Sequence, residues 1–572
     1  MKTKKTLYIL WAAILSIGVM SCSDDFLELP PEASVVDENF YQNDNQLLAA
    51  TAPLYNLGWF DYNDKASYNL GDFRGGSAYS AYNDRENVEF NTTANTPENV
   101  AAWRAFYNVV AQANVTIYNI NQFATEDVSE EMKTHCIAEA RFMRALAYRY
   151  LVMNWEEVPV IVDNIKILDN PYNVKRNTVS SVWKFITHEF RAAARDLPET
   201  PRLEGRVTKW AAEGMLARTY LTRAGVPENY GLQEERTVTR DQAFLDSAKY
   251  FADRVINLSG ASLLTNYADL FRTPYDNNPE SLFSLQWVFV DANSWGTQNS
   301  TPAYLTHYAE LGNNGDGWGG DKGATFWMLS LYDGFNPISP SGDTLKGHTA
   351  DARLKATFML PGMVYDELAY QDGANVKEGY KVPFNGGDGA NALNYAAVKK
   401  YVVGRLDPEE GTKQFYSHDT YMLRLAEIYL IYAEAVLGNN ESTTDGTALE
   451  YFNRIHERAT RERVTSITYK DIFEERVKEF AMEGMIWYDL VRLHYYNPTE
   501  AYKIIELQDR GIYFIEPNEV DNPTEWTIYK TLWDDNRSFN ASSGNFKIPL
   551  PAVEVSIAPN LLQDPVPYDF NE

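Results

Sequence analysis

Five aromatic side chains, Trp59, Tyr62, Tyr82, Trp295 and Trp318, stand in stretches without helical period, among Asn63, Arg74, Asn83, Asn293, Asn313 and Asp316. Rings beside amides, carboxylates and a guanidinium can hold a pyranose, whose C–H face lies on the ring while its hydroxyl rim needs donors and acceptors. Covering ~100 Å² of apolar surface at ~25 cal/mol/Å² supplies at most ~2.5 kcal/mol per ring, before ordering costs. Two or three rings then give weak, micromolar to millimolar recognition, useful when display on a surface adds avidity. Trp59, Tyr62, Arg74, Tyr82, Asn83, Trp295 and Trp318 are the candidate ligand-contacting residues.

Other chemistry is poorly supplied. The seven histidines (His135, His188, His307, His348, His418, His456, His494) are scattered, and no His-Glu-x-x-His, Walker loop, Gly-x-Ser-x-Gly elbow or dinucleotide fingerprint occurs. Chance carboxylate pairs are guaranteed by 79 acidic residues, so they carry little weight for glycoside hydrolysis. An enzyme is not expected. Loop Asp and Asn oxygens could hold a structural calcium ion, although no EF-hand loop is present; no other cofactor is expected.

The chain has 572 residues and a net charge of −28, from 51 basic and 79 acidic side chains, so a nucleic-acid backbone would be repelled. Its start carries an export pattern. Lys2, Lys4 and Lys5 precede an apolar run from Leu7 to Met20, and Val19-Met20-Ser21-Cys22 resembles the lipobox of bacterial lipoproteins, which makes Cys22 the lipid-anchored first residue. Loss of the three lysines would take the charge to 48 − 79 = −31. Ser23-Asp24-Asp25 resembles an acidic surface-export tag, and no later apolar run reaches roughly eighteen residues. The expectation is outer-membrane attachment through lipid alone, facing the cell exterior. Cys136, on the stripe Cys136, Ala140, Met143, Ala147 and Tyr150, is expected to be a buried thiol.

The elements that must position these residues are mostly helical. Thr96-Pro97 opens a helix carrying Trp103, Tyr107 and Val110, with Asn114 expected as a satisfied buried amide; Thr178 caps another and Asp241 leads into a third. Leu425 to Gly438 and Ala448 to Ala459 form a helical hairpin, and one continuous helix is predicted from about Thr468 to His494. The fold class is mainly α, a tetratricopeptide-like helical-repeat scaffold with a long irregular loop-rich insertion. The boundaries read as signal peptide 1–21, then a body at 22–572 with a helical part at about 34–257, insertion at about 258–420, a second helical part at about 421–495 and an extended tail at about 496–572. Segments 56–95 and 259–420 are the expected working surfaces. Trp287, in the apolar run 283–290, and Trp103, Trp183, Trp210 and Trp487, at helical spacing, are expected in the core.

Six blocks in order resemble the SusD/RagB family. They are Asp25-Phe26-Leu27-Glu28 with Pro30; Ala138-Glu139-Ala140-Arg141 through Val158-Pro159; Gly205-Arg206-Val207-Thr208-Lys209; Arg424-Leu425-Ala426-Glu427; Glu475-Arg476 through Arg492; and Ile548-Pro549-Leu550-Pro551. The tail departs from the family pattern, with Pro559-Asn560 and Gln563-Asp564-Pro565. The resemblance implies an outer-membrane lipoprotein that captures an oligosaccharide or polysaccharide and works as the extracellular lid of a TonB-dependent transporter. Peptide uptake within the same family and a helical protein-interaction scaffold are the alternatives. The i, i+3 pairs Arg424/Glu427 and Arg476/Glu479 point to local or interhelical ion pairs rather than ligand contacts.

Overall fold

The structure is a computed structural model describing residues 40–570 except 57, 82, 229–237, 289–294, 313–316, 385–394, 406–413, 415 and 531–537. The signal segment, Cys22, Tyr82, Asn293, Asn313 and Asp316 lie outside the described residues.

The chain is predominantly α-helical. The principal helices are α1 (Pro97–Phe123), α2 (Glu130–Trp155), α3 (Val179–Asp196), α4 (Lys209–Arg223), α5 (Gln242–Leu258), α6 (Leu425–Leu437), α7 (Gly446–Thr460), α8 (Tyr469–Phe480) and α9 (Ile486–Tyr496). From α1 to α7 each packs on the next, so the chain leaves the stack after α5 and re-enters beside it at α6. Polar side chains start several of these helices: Ser129 accepts from the Met132 N–H, Thr178 from Ser181, Thr208 from Ala211 and Asp241 from Ala243 and Phe244. Each such cap stabilises by about 1 kcal/mol. Thr96 instead turns its hydroxyl back to the Thr93 N–H, leaving Pro97 to open α1.

The predicted helix over 468–494 is two helices. Between α8 and α9 the backbone takes positive φ at Met482 (65°) and Gly484 (69°). The N–H groups of both residues donate to the buried Asp72 carboxylate, at 2.6 and 2.8 Å. A periodic apolar pattern cannot register a distant carboxylate that captures backbone donors.

Segment 56–95 also differs from the expected irregular surface. It winds through two π-helical stretches, Tyr62–Ala66 and Asn69–Phe73, and most of its aromatics are buried. Segment 259–420 contains short antiparallel strands: Lys322–Ala324, Phe358–Met359 and Ala397–Val398 join Ala78–Ser80 in one sheet, with Ala78 opposite Ala324. Val364–Asp372 and Asn375–Lys381 form a separate hairpin. Beyond 496 the chain is not simply extended, for it carries the helix Pro498–Leu507 and the paired strands Tyr513–Pro517 and Trp526–Lys530.

The charged family blocks bolt helices to one another and to the turns beside them. Arg424 reaches Glu280 (2.6 Å), Glu479 (3.1 Å) and Glu483 (2.8 Å), while Glu427 pairs with Arg218 and Arg476 instead of with Arg424. All of these side chains are buried. Asn114 is satisfied as expected: it donates to the Ile161 carbonyl and accepts from Arg144 at 2.7 Å. Cys136 is buried and unbridged, and Trp103, Trp183, Trp210, Trp287 and Trp487 are all in the core.

Candidate functional site

The seven candidates separate by burial. Trp59 and Tyr62 are inside the core, where Trp59 donates its indole N–H to the Leu54 carbonyl and both rings pack on Phe106. Arg74 is buried between the rings of Phe90 and Trp487, hydrogen-bonded to Asn87 and the Asn545 carbonyl. Burial without a carboxylate pulls its pKa down to about 9. Packing on Phe106, Phe90 and Trp487 thus closes these three residues to a ligand in this structure. Asn83 is exposed, and its backbone and side-chain N–H groups both donate to Asp321 at 3.0 Å.

Trp295 and Trp318 are different, at 53% and 56% exposed. The Trp295 ring meets Phe60 edge to face at 5.4 Å, and Phe60 in turn meets the buried Trp287 at 6.3 Å. Beneath them runs a polar ladder. Trp287 donates to the Thr420 hydroxyl (3.0 Å), Thr420 to the Asn63 side-chain oxygen (2.7 Å), Asn63 to the Asn299 side-chain oxygen (3.0 Å), and Asn299 to the His418 carbonyl (2.7 Å). Asn63, expected as a polar neighbour of the ligand, is a buried strut of this floor.

The same floor carries Trp318. Ser300 and Thr301 are fastened to Asp64 and the Asn63 carbonyl, placing the short helix Thr301–Leu305. Its Ala303 carbonyl accepts the Trp318 N–H at 3.0 Å, and the Thr306 carbonyl accepts the Gly319 N–H at 2.8 Å. A Cβ on Gly319 would meet the Leu305 carbonyl carbon at 2.4 Å. The glycines beside Trp318 thus permit close packing.

Sequence reasoning missed the polar groups of this face. Lys65 lies 4.7 Å from the centroid of the half-buried Tyr304 ring, and Arg104 of α1 donates to Asp61 at 2.8 Å. Burial raises the Tyr304 pKa to about 12 and also raises that of Asp64, which the Ser300 hydroxyl partly offsets. The only sequence signal was the closeness of Asp61, Asp64 and Lys65 to Phe60 and Tyr62. A cavity of about 550 Å³ lies elsewhere, walled by Trp327, Tyr469, Phe473 and Tyr496. For a cation, no cluster of three or more His, Cys, Asp or Glu groups forms among the described residues.

The packed helical body thus carries two half-exposed indoles above a buried, hydrogen-bonded floor. Residues 279–566 match the SusD family, and 25–221 match the family described as starch-binding, associating with outer membrane. The chain is 36% identical to a SusD-like protein of Bacteroides ovatus, over 96% of each chain. It is 25% identical to the starch-binding protein SusD of Bacteroides thetaiotaomicron, over 66% of this chain and 68% of the other. A crystal structure determined with xylogluco-oligosaccharide superimposes with a TM-score of 0.76 at 34% identity, covering 92% of this chain and all of the other. The chain belongs to the SusD/RagB family of outer-membrane glycan-binding proteins, which are not enzymes.

Proposed function

We propose that this protein is a lipid-anchored surface receptor that captures a neutral oligosaccharide on Trp295 and Trp318 and delivers it to a TonB-dependent outer-membrane transporter as its extracellular lid. The observation that carries the reading is the pair of half-exposed indoles held on one braced floor by residues 60–65 and 299–306. A ring fixed before binding loses little entropy when a sugar covers it. The carboxylates Asp61 and Asp64 and the overall charge of −28 oppose a polyuronate. Asn83, tied to Asp321 three residues after Trp318, extends the polar rim. Cys22 carries the lipid, and the successive packing of α1 to α7 supports a tetratricopeptide-like scaffold. Membership of the family supports the transporter partner.

Xylogluco-oligosaccharide, the ligand of the structural relative at 34% identity, is the first ligand to test. Isothermal titration should show Trp295→Ala and Trp318→Ala each weakening binding by roughly tenfold or more, as loss of one ring's ~2 kcal/mol requires. Undiminished binding by both variants would reject this face as the site.

A further inference from the structure

The cavity of about 550 Å³ shares no wall with the floor beneath Trp295 and Trp318. Tyr469 and Phe473 of α8, Tyr496 at the end of α9 and Trp327 of the short helix Phe326–Ser330 supply its rings, and the helix Pro498–Leu507 lines it as well. A space of this size, walled by rings and carrying few polar groups, is built like a small-molecule pocket. Trp327 strengthens that reading. It is 8% exposed, yet its indole N–H has no acceptor among the described residues. A buried donor left unpaired costs about 1–3 kcal/mol, which an acceptor on a ligand would offset.

The polar groups around the cavity select its occupant. A sugar needs amides free for its hydroxyls, and here they are engaged with backbone. Asn439 accepts from the Arg240 N–H at 2.8 Å and donates to the Arg240 carbonyl at 3.0 Å. Asn440 donates to the Leu437 carbonyl at 2.9 Å, and Asn497 accepts from the Glu500 N–H at 3.2 Å. The carboxylates are less committed. Glu441 is exposed and forms no ion pair among the described residues, Glu474 reaches Lys470 at 3.7 Å, and Glu500 reaches Lys503 at 3.5 Å. Loose pairs of that kind contribute at most about 1 kcal/mol. Arg240 does not neutralise these acids, because its guanidinium is bonded to Glu434 and the Gly438 carbonyl. Burial raises the Glu474 pKa, and Lys470 offsets this only in part, so a further cation beside the carboxylate is favoured. The rings add to the same preference, since an aromatic face attracts an ammonium group.

We infer that this cavity is a second binding site that takes a small organic cation: an amine on a ring-sized apolar body that also carries a hydrogen-bond acceptor. The body lies among the four rings, its acceptor meets the Trp327 N–H, and the ammonium faces Glu474. The face carrying Trp295 and Trp318 stays open, so the two sites can fill together.

Tyramine, tyrosol and 4-hydroxyphenylacetate share one hydroxyphenyl body and end in an ammonium, a hydroxyl and a carboxylate. Isothermal titration of each into the full-length protein in detergent at pH 7 tests the site. Tyramine should saturate below about 5 mM, and the other two should bind about fivefold more weakly or worse. Glu474→Gln should weaken tyramine by about fivefold and keep its melting temperature within about 1 °C of wild type. Trp295→Ala should bind tyramine like wild type. No saturation by tyramine, equal binding of the carboxylate, undiminished binding by Glu474→Gln, or lost binding in Trp295→Ala would each overturn the inference.

Discussion

Asp72 and Gly484, 412 positions apart, are joined by a 2.8 Å hydrogen bond from the Gly484 N–H to the carboxylate. Met482 and Ser77 donate to the same group, at 2.6 and 2.9 Å. The backbones are closer still: a Cβ on Gly71 would sit 2.2 Å from the Gly484 Cα. This contact breaks α8 from α9 and fastens the π-helical segment, and with it Phe60 to Lys65, to the C-terminal helices.

Removing the carboxylate should be costly. Asp72→Ala leaves buried N–H groups unpaired and should destabilise by about 3 kcal/mol in urea unfolding at pH 7. Burial raises the Asp72 pKa from 3.8 to about 6. A folded-state pKa above the unfolded value means that its contribution is largest below about pH 4 and declines as pH rises to about 6. The stability difference between wild type and Asp72→Asn should therefore shrink from pH 4 to 6 and then level off. A difference independent of pH would contradict the assignment.

The buried ion pairs titrate in the opposite direction. Arg218 and Arg476 hold Glu427, and Arg492 and Arg240 hold Glu434, at a pKa of about 2 against burial. Their contribution is complete above about pH 4.5 and is lost as pH falls toward 2. Glu434→Gln should cost about 3–5 kcal/mol at pH 7, because two arginines lose their counter-charge. Its acid denaturation should also be shallower than wild type, which circular dichroism at 222 nm can follow.

Cys136 is buried, and burial pushes its thiol up to about 12. Almost no thiolate exists at pH 8. In a Cys22→Ala background, iodoacetamide should leave the native protein unmodified and add one carbamidomethyl group after denaturation, read by intact mass. Rapid labelling of the native state would show that the helix stripe opens.

Cys22→Ala should also move the protein from the membrane pellet to the soluble fraction. The described residues contain no helix long and apolar enough to cross a membrane. Retention in the pellet at wild-type level would reject lipid as the tether.

Local rules made much of the scaffold legible. Thr178 and Asp241 mark helix starts because a side-chain oxygen two or three residues ahead of an unpaired N–H acts within one turn. The tryptophans at helical spacing were legible as core, since a 3.6-residue period puts them on one face. The same period failed at 468–494, where the breaking group is Asp72, some four hundred positions away.

The candidate site was half legible. Trp295 and Trp318 could be nominated because large rings in aperiodic, polar sequence have no helix face to occupy. Trp59, Tyr62 and Arg74 satisfied the same criterion, and only packing against Phe106, Phe90 and Trp487 buries them. Composition and short-range spacing determined the helices, the absence of the common catalytic motifs and the aromatic excess. Tertiary structure alone decided which rings reach solvent, because burial depends on neighbours brought together across hundreds of residues.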